Sequence, residues 1–244
     1  MPNVNTTTKT IDIIKAELQK VSNSEKAAFL PKFFRAVPGG YGEGDRFIGV
    51  AVPDQRKIAQ KHYKKTTLNE TADMLNSPIH EHRLTALLML VNKFEKTKDE
   101  AEKKAVVKVY LENINCVNNW DLVDSSCYKI LGPWLIDNDK SLLYEYAWSD
   151  DLWKQRIAII TTLYFIKNNY FDDTLKIAEI LLEHKHDLIH KAVGWMLREV
   201  GKIDFKTEYN FLANHYKKMP RTMLRYAIEK FDEDLRQSFL KGFE

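Results

Sequence analysis

His80-Glu-His-Arg-Leu-Thr-Ala-Leu-Leu-Met-Leu-Val-Asn-Lys-Phe94 is the stretch that decides the fold class. Leu84, Leu87, Leu88 and Val91 recur at i, i+3, i+4 and i+7, which makes one apolar face of an α-helix. Ser77-Pro78 just upstream supplies a capping residue and a proline suited to a first helical turn, so a helix is expected over His80–Phe94. Other segments read the same way. Ser149-Asp150-Asp151 precedes Leu152–Lys167, Asp187 precedes Leu188–Val200 with a stop at Gly201-Lys202, and Met219-Pro220 opens a helix through Phe231.

These helices share a phase. Arg83-Leu-Thr-Ala, Trp120-Asp-Leu-Val, Arg156-Ile-Ala-Ile, Lys191-Ala-Val-Gly and Arg225-Tyr-Ala-Ile can be set one above another. The step between them is about 35 residues, the period of a two-helix repeat. The expected fold is therefore all-α, an α-α superhelix of HEAT-like repeats forming one domain over residues 1–244, with a concave basic groove. The first-position residues, Arg83, Trp120, Arg156, Lys191 and Arg225, are expected as a ladder along that groove, where cations can track phosphates.

Composition agrees. The chain has 244 residues, 44% of them hydrophobic and 11% aromatic, enough for a sizeable core. Only 9 Gly and 7 Pro occur, too few for an all-β chain with a turn every 8–12 residues or so. Five of those glycines fall between Gly39 and Gly49, marking Pro38–Arg46 as the one obvious long loop. Two cysteines, Cys116 and Cys127, make no disulfide scaffold, and the polar Met1–Thr10 stretch has no signal-peptide core. No apolar run reaches membrane-span length, so a cytoplasmic monomer without membrane contact is expected. The net charge is +3, but residues 185–230 hold ten Lys+Arg against five Asp+Glu, a basic end that suits a polyanion.

Three segments could carry chemistry. In Asn118-Asn-Trp-Asp-Leu-Val-Asp-Ser125, Trp120 and Asp124 stand at i, i+4 on one helix face, while Asp121 is expected to point elsewhere. Asp124 lies among apolar neighbours, and a buried carboxylate must be paired or put to use. In Lys191-Ala-Val-Gly-Trp-Met-Leu-Arg-Glu199, Trp195 and Arg198 share a face, and Gly194 suggests close approach of another helix or a ligand. Asp151-Leu-Trp-Lys-Gln-Arg156 supplies Lys154 and Arg156. Two indoles, a carboxylate and guanidiniums suit a cationic ring attached to a phosphate backbone.

The runs Asn119-Trp-Asp-Leu-Val-Asp124, Leu152-Trp-Lys-Gln-Arg156 and Ile189-His-Lys-Ala-Val-Gly-Trp-Met-Leu-Arg-Glu199 closely resemble the AlkD-like DNA alkylation repair glycosylases, over nearly the whole chain from about Phe29. The resemblance implies a HEAT-like solenoid that binds duplex DNA and excises cationic alkylpurines such as 3-methyladenine and 7-methylguanine, without base flipping. It implies Asp124 as the catalytic carboxylate, Trp120 and Trp195 as the aromatic pair at the lesion's deoxyribose, and Arg156 and Arg198 near phosphates. Lys154, Lys191 and Arg225 join them as expected DNA contacts. The family also has an aromatic residue near Phe33 or Phe34, with the matching position left open. The loop Pro38–Arg46 looks longer and richer in glycine than in the best-known members, and is expected to bring Tyr41, Glu43 and Asp45 close to Phe33 and Phe34. The alternative is a non-catalytic HEAT-like binder of duplex or branched DNA.

Other signals carry less. The glycine loop has no Gly-Lys-Ser/Thr after it, so a nucleotide loop is not expected. His184, His186 and His190 lack a metal-ligand pattern, and no metal or cofactor is expected. The charge run Lys93–Lys104 reads as a solvated outer helix.

Overall fold

A computed structural model describes residues 10–242. They hold fourteen α-helices and two short 3-10 helices, and among the described residues there is no strand, only a parallel bridge pairing Arg46 with Ile79. The expected all-α class of paired helices is what the chain adopts. It divides into two compact units, the first ending at Ser126 and the second starting at Cys127.

The first unit comprises α1 (Thr10–Lys20), α2 (Ser24–Phe33), α3 (Val52–His62), α4 (Leu68–Leu75), α5 (His80–Lys96), α6 (Glu100–Glu112) and the opening turns of α7 (Trp120–Leu135). Its centre is α5, against which α3, α4 and α6 all lie. Every residue from His80 to Val91 is buried, so α5 is a core helix on all sides rather than a half-exposed one. Its start differs from expectation. Ser77 is not the N-cap; its Oγ accepts from the Ile79 amide, and Ile79 takes the cap position without a side-chain bond. The cause is the bridge. Arg46 N donates to Pro78 O and His80 N to Arg46 O, holding residues 78–79 extended and delaying the helix.

The glycine-rich segment between α2 and α3 folds back in successive turns rather than standing off. Gly42 N donates to Arg35 O, and a Cβ on Gly42 would meet the Phe34 carbonyl oxygen at 2.4 Å. Gly49 sits at φ +79°, where its missing side chain also lets the chain pass the Asn23 carbonyl. The loop is thereby fastened to α2 and to the start of α5.

The second unit comprises α8 (Ser141–Trp148), α9 (Leu152–Lys167), α10 (Asp172–Ile180), α11 (Asp187–Ile203), α12 (Phe205–His215), α13 (Arg221–Ala227) and α14 (Glu233–Lys241) after the end of α7. α11 lies between α9 and α13, while α8 and α10 cover α9, and α10 and α12 cover α11. Two layers of alternating helices result, as a two-helix repeat requires. The repeat phase is real here: Arg156, Lys191 and Arg225 are each the fifth residue of α9, α11 and α13. The fifth residue of α7 is Asp124, one turn beyond Trp120.

Asp151 caps α9 as expected, accepting from the amides of Trp153 and Lys154. Gly201 does not stop α11, which runs on to Ile203. It makes room for Glu208 of α12, whose carboxylate occupies the space a Cβ would need. Gly194 answers the question its sequence posed in favour of a helix. A Cβ there would meet Met223 O at 2.4 Å and Tyr226 Cβ at 2.5 Å, both on α13. The run Lys93–Lys104 is not one outer helix; it spans the end of α5, a turn at 97–99 and the start of α6. Among the described residues no helix is long and apolar enough to cross a membrane.

Candidate active site

Asn119, fully buried, sets the start of α7: its Oδ1 accepts from the Trp120 amide and its backbone oxygen accepts from Val123 N. Trp120 is therefore held at the first position of the helix. Asp124, one turn on and half-buried, shares its face.

Around Trp120 the first unit assembles an aromatic cluster. Phe34 stacks on Trp120 at 5.4 Å between ring centroids, and on Phe47 at 5.4 Å with planes only 9° apart. Phe33 meets Trp120 edge-on at 5.9 Å. Phe33 and Phe29 are exposed, so the cluster has a buried floor and an open aromatic rim. Phe34 and Phe33 thus both reach Trp120, one as floor and one as rim. A cavity of ≈ 380 Å³ lies here, lined by Phe33, Phe34, Phe47 and Trp120 and, deeper, by His80, Glu81 and Asp121.

Beneath the rings runs a chain of buried charges. His80 Nδ1 lies 2.8 Å from Asp45 Oδ2, and Nε2 lies 2.8 Å from Asp121 Oδ2. Arg83 donates to Asp45 Oδ1 at 2.6 Å, to Asn118 Oδ1 and to the Ser77 carbonyl. Both imidazole nitrogens face carboxylates, which only the doubly protonated ring can satisfy. Burial alone would push the His80 pKa down, but the hydrogen bonds and charges of Asp121 and Asp45 override it and raise it to about 9. Burial pushes Asp45 the other way, yet its bond to His80 and the Arg83 charge hold it below the usual carboxylate range. Two cations and two carboxylates leave the group neutral. Phe34 and Phe47 lie at 4.7 and 5.0 Å from the imidazole, adding ring contacts to this cation.

Several expectations change. Asp121 does not point away: it lines the cavity beside Trp120 and binds His80. The Glu43 carboxylate accepts from Gly39 N within the loop. Asp45 enters the site, bound to His80 and Arg83. Arg83 is no rung of a phosphate ladder, being 5% exposed and paired with Asp45.

In the second unit Arg156 is equally buried, and its Nη1 donates to the Leu188 carbonyl, tying α9 to the start of α11. A guanidinium so placed suits helix packing better than phosphate contact. Trp195 is half-buried, with Nε1 donating to Glu199 Oε1 at 3.0 Å. Arg198 pairs with Glu229, and Lys191 with Asp187 at 2.5 Å. Arg225 is exposed, and neither it nor Lys154 has a carboxylate within 4.0 Å among the described residues; Lys154 lies over the Tyr146 ring. His184, His186 and His190 are joined by backbone bonds: His186 caps α11 and His190 Nε2 lies on the His184 carbonyl.

Sequence reasoning missed His80, Phe47 and Asp121 as site residues. His80 had a faint signal, as the first of the polar residues His80-Glu-His-Arg83 that open the helix ahead of its apolar run. Phe47 had none, because its ring is brought in by the loop's return path.

Comparisons with known proteins bear on this arrangement. A family model described as "DNA alkylation repair enzyme" matches residues 14–231. A solved structure described as a predicted DNA alkylation repair enzyme from Enterococcus faecalis superposes with a TM-score of 0.69 at 16% identity, covering 87% of this chain and 97% of that one. That likeness bears on the fold. No curated protein matches the sequence.

Proposed function

The chain belongs to the DNA alkylation repair enzyme family, and we propose that its reaction is hydrolytic release of positively charged alkylpurines from duplex DNA, as a monofunctional glycosylase. The observation that supports this most is Trp120, held at the first turn of α7 in an aromatic cluster with an open rim, with Asp124 one turn on along the same face.

The chemistry follows from the substrate. A purine alkylated at N3 or N7 carries a positive charge, so its glycosidic bond is already weakened and no general acid is needed. As the base leaves, the sugar gains oxocarbenium character. In this reading Asp124 stabilises that charge and positions the attacking water, and the Trp120 face adds cation–π attraction. Trp195 enters as the second indole through the family resemblance. Lys154, Lys191, Arg198 and Arg225 would meet phosphates, the last three in the locally basic stretch 185–230. Arg156 acts through helix packing. No step calls for a metal or cofactor.

Incubating purified protein with methylated duplex DNA and identifying the released bases tests the reading. Release of 7-methylguanine or 3-methyladenine above the spontaneous rate is expected. Salt-sensitive duplex binding without release would instead favour the non-catalytic binder.

A further inference from the structure

We infer that Glu199 is a positioning residue for the base-release reaction, fixing the plane of the Trp195 indole that meets the lesion's deoxyribose. This rests on the glycosylase reading, which gives Trp195 that place.

The backbone beneath Trp195 is already fixed. Gly194 lies against Met223 and Tyr226 of α13, and Met196 and Leu197 are fully buried. The freedom that remains is in the side chain. Trp195 is half-buried, so packing covers only part of the ring. An indole in that position swings about its side-chain bonds unless something holds its edge.

Glu199, one turn on along α11, supplies the hold: Trp195 Nε1 donates to Glu199 Oε1 at 3.0 Å. The carboxylate is itself anchored. Lys202 donates to the same oxygen at 2.7 Å, as the more exposed member of that pair. Arg198 does not compete for this oxygen. Its Nε is 4.0 Å away, and its Nη1 turns to Glu229. A charged acceptor makes the stronger hydrogen bond, so a carboxylate restrains the ring more firmly than a neutral group would.

The two indoles are therefore fixed differently. Trp120 is held through its ring, with Phe34 stacked on it and Phe33 edge-on. Trp195 is held by its N–H, which lies in the ring plane and leaves the faces unused by the bond. That matters for the chemistry. Attraction between a developing oxocarbenium ion and an indole acts through the ring face. Groups that meet a reacting centre need locked rotamers, and supporting partners lock them. Glu199 touches no substrate in this scheme and acts through Trp195 alone.

Single-turnover release of 7-methylguanine from duplex DNA, measured across protein concentrations, tests this. The maximal rate should fall about tenfold in Glu199→Ala with the half-saturating concentration unchanged or lower, because the indole is misplaced rather than binding lost. Glu199→Gln keeps an acceptor oxygen and should restore the rate to within about threefold of wild type. Lys202→Ala removes the ion pair but not the indole bond, so its rate should stay within about twofold of wild type. In a Trp195→Phe background, Glu199→Ala should cost less than about twofold, since the N–H through which it acts is gone. The Trp195 indole N–H resonance, assigned with Trp195→Phe, should move in Glu199→Ala. If Glu199→Ala does not fold, Glu199→Met, similar in length and without the carboxylate, carries the same readouts. An undiminished rate in Glu199→Ala, a loss as large in Lys202→Ala, or equal Glu199→Ala losses in the two backgrounds overturns the inference. A failure of the glycosylase reading would look different: the wild type itself would release no base, while the indole resonance would still move in Glu199→Ala.

Discussion

His80 in the first unit and Glu208 in the second are both buried titratable groups, and both have raised pKa values, with opposite meanings. His80, against Asp45 and Asp121, reaches about 9 and is held charged. Glu208 reaches about 8 because burial opposes its ionisation, with only the Arg198 charge acting against that, and is held neutral. Its Oε1 has no hydrogen-bond partner. Burial by itself favours the neutral form of either group; bonds to opposite charges reverse that. The first unit thus fixes its site with compensated internal charge, whereas the second accommodates an acid by protonating it.

The largest effect that could break this comparison is loss of Asp45. Asp45→Ala leaves His80 and Arg83 with one buried carboxylate between them, and removal of one partner from such a group costs about 3–5 kcal/mol. Chemical denaturation should show this, and Trp120 emission should change with it. A loss under about 1 kcal/mol would mean the charge chain is not structural.

The pH dependence is next. The folded His80 value lies above its ordinary 6.5, so its contribution is fully present below 6.5 and is lost as pH rises through about 9. The shift corresponds to about 3 kcal/mol at most. Urea midpoints of the wild type should fall across that window relative to His80→Gln, and parallel curves would contradict it. Glu208 has the same slope for the opposite reason. Its folded value exceeds the ordinary 4.5, so stability declines from pH 4.5 to about 8, where the unfolded chain releases the proton that the buried acid keeps. Glu208→Gln should flatten that decline and be more stable than wild type at pH 8, by about 1–3 kcal/mol.

Gly194→Ala should cost about 1–3 kcal/mol, since α13 leaves no room for a methyl group. The smallest effect belongs to the half-exposed Lys191–Asp187 pair. Lys191→Ala should change stability by less than about 1 kcal/mol while lowering the salt dependence of DNA binding.

How much of this was legible in the sequence varies with range. The local signals held well: the Asp151 cap, the extent of α9, and the common phase of Arg156, Lys191 and Arg225. Those features are written in spacing and capping chemistry, which act within a turn or two. Long-range pairing was not legible. The Arg46–Ile79 bridge shifts the start of α5, and the same return of the loop delivers Asp45 to His80 and Arg83. The ladder is periodic in the second unit, but Arg83 and Arg156 are buried, because periodicity does not say whether a cation faces solvent or a buried partner. Helix geometry alone turns Asp121 away from the Trp120 face; it is His80 of α5, a contact between elements distant in sequence, that makes it part of the site.

The most direct measurement is single-turnover base release from a duplex carrying one 7-methylguanine, comparing wild type with Asp124→Asn. The account predicts a rate lower by about 10²–10³ in the variant, as for loss of a charge-stabilising group, with duplex affinity essentially kept. Equal rates for the two proteins would contradict it.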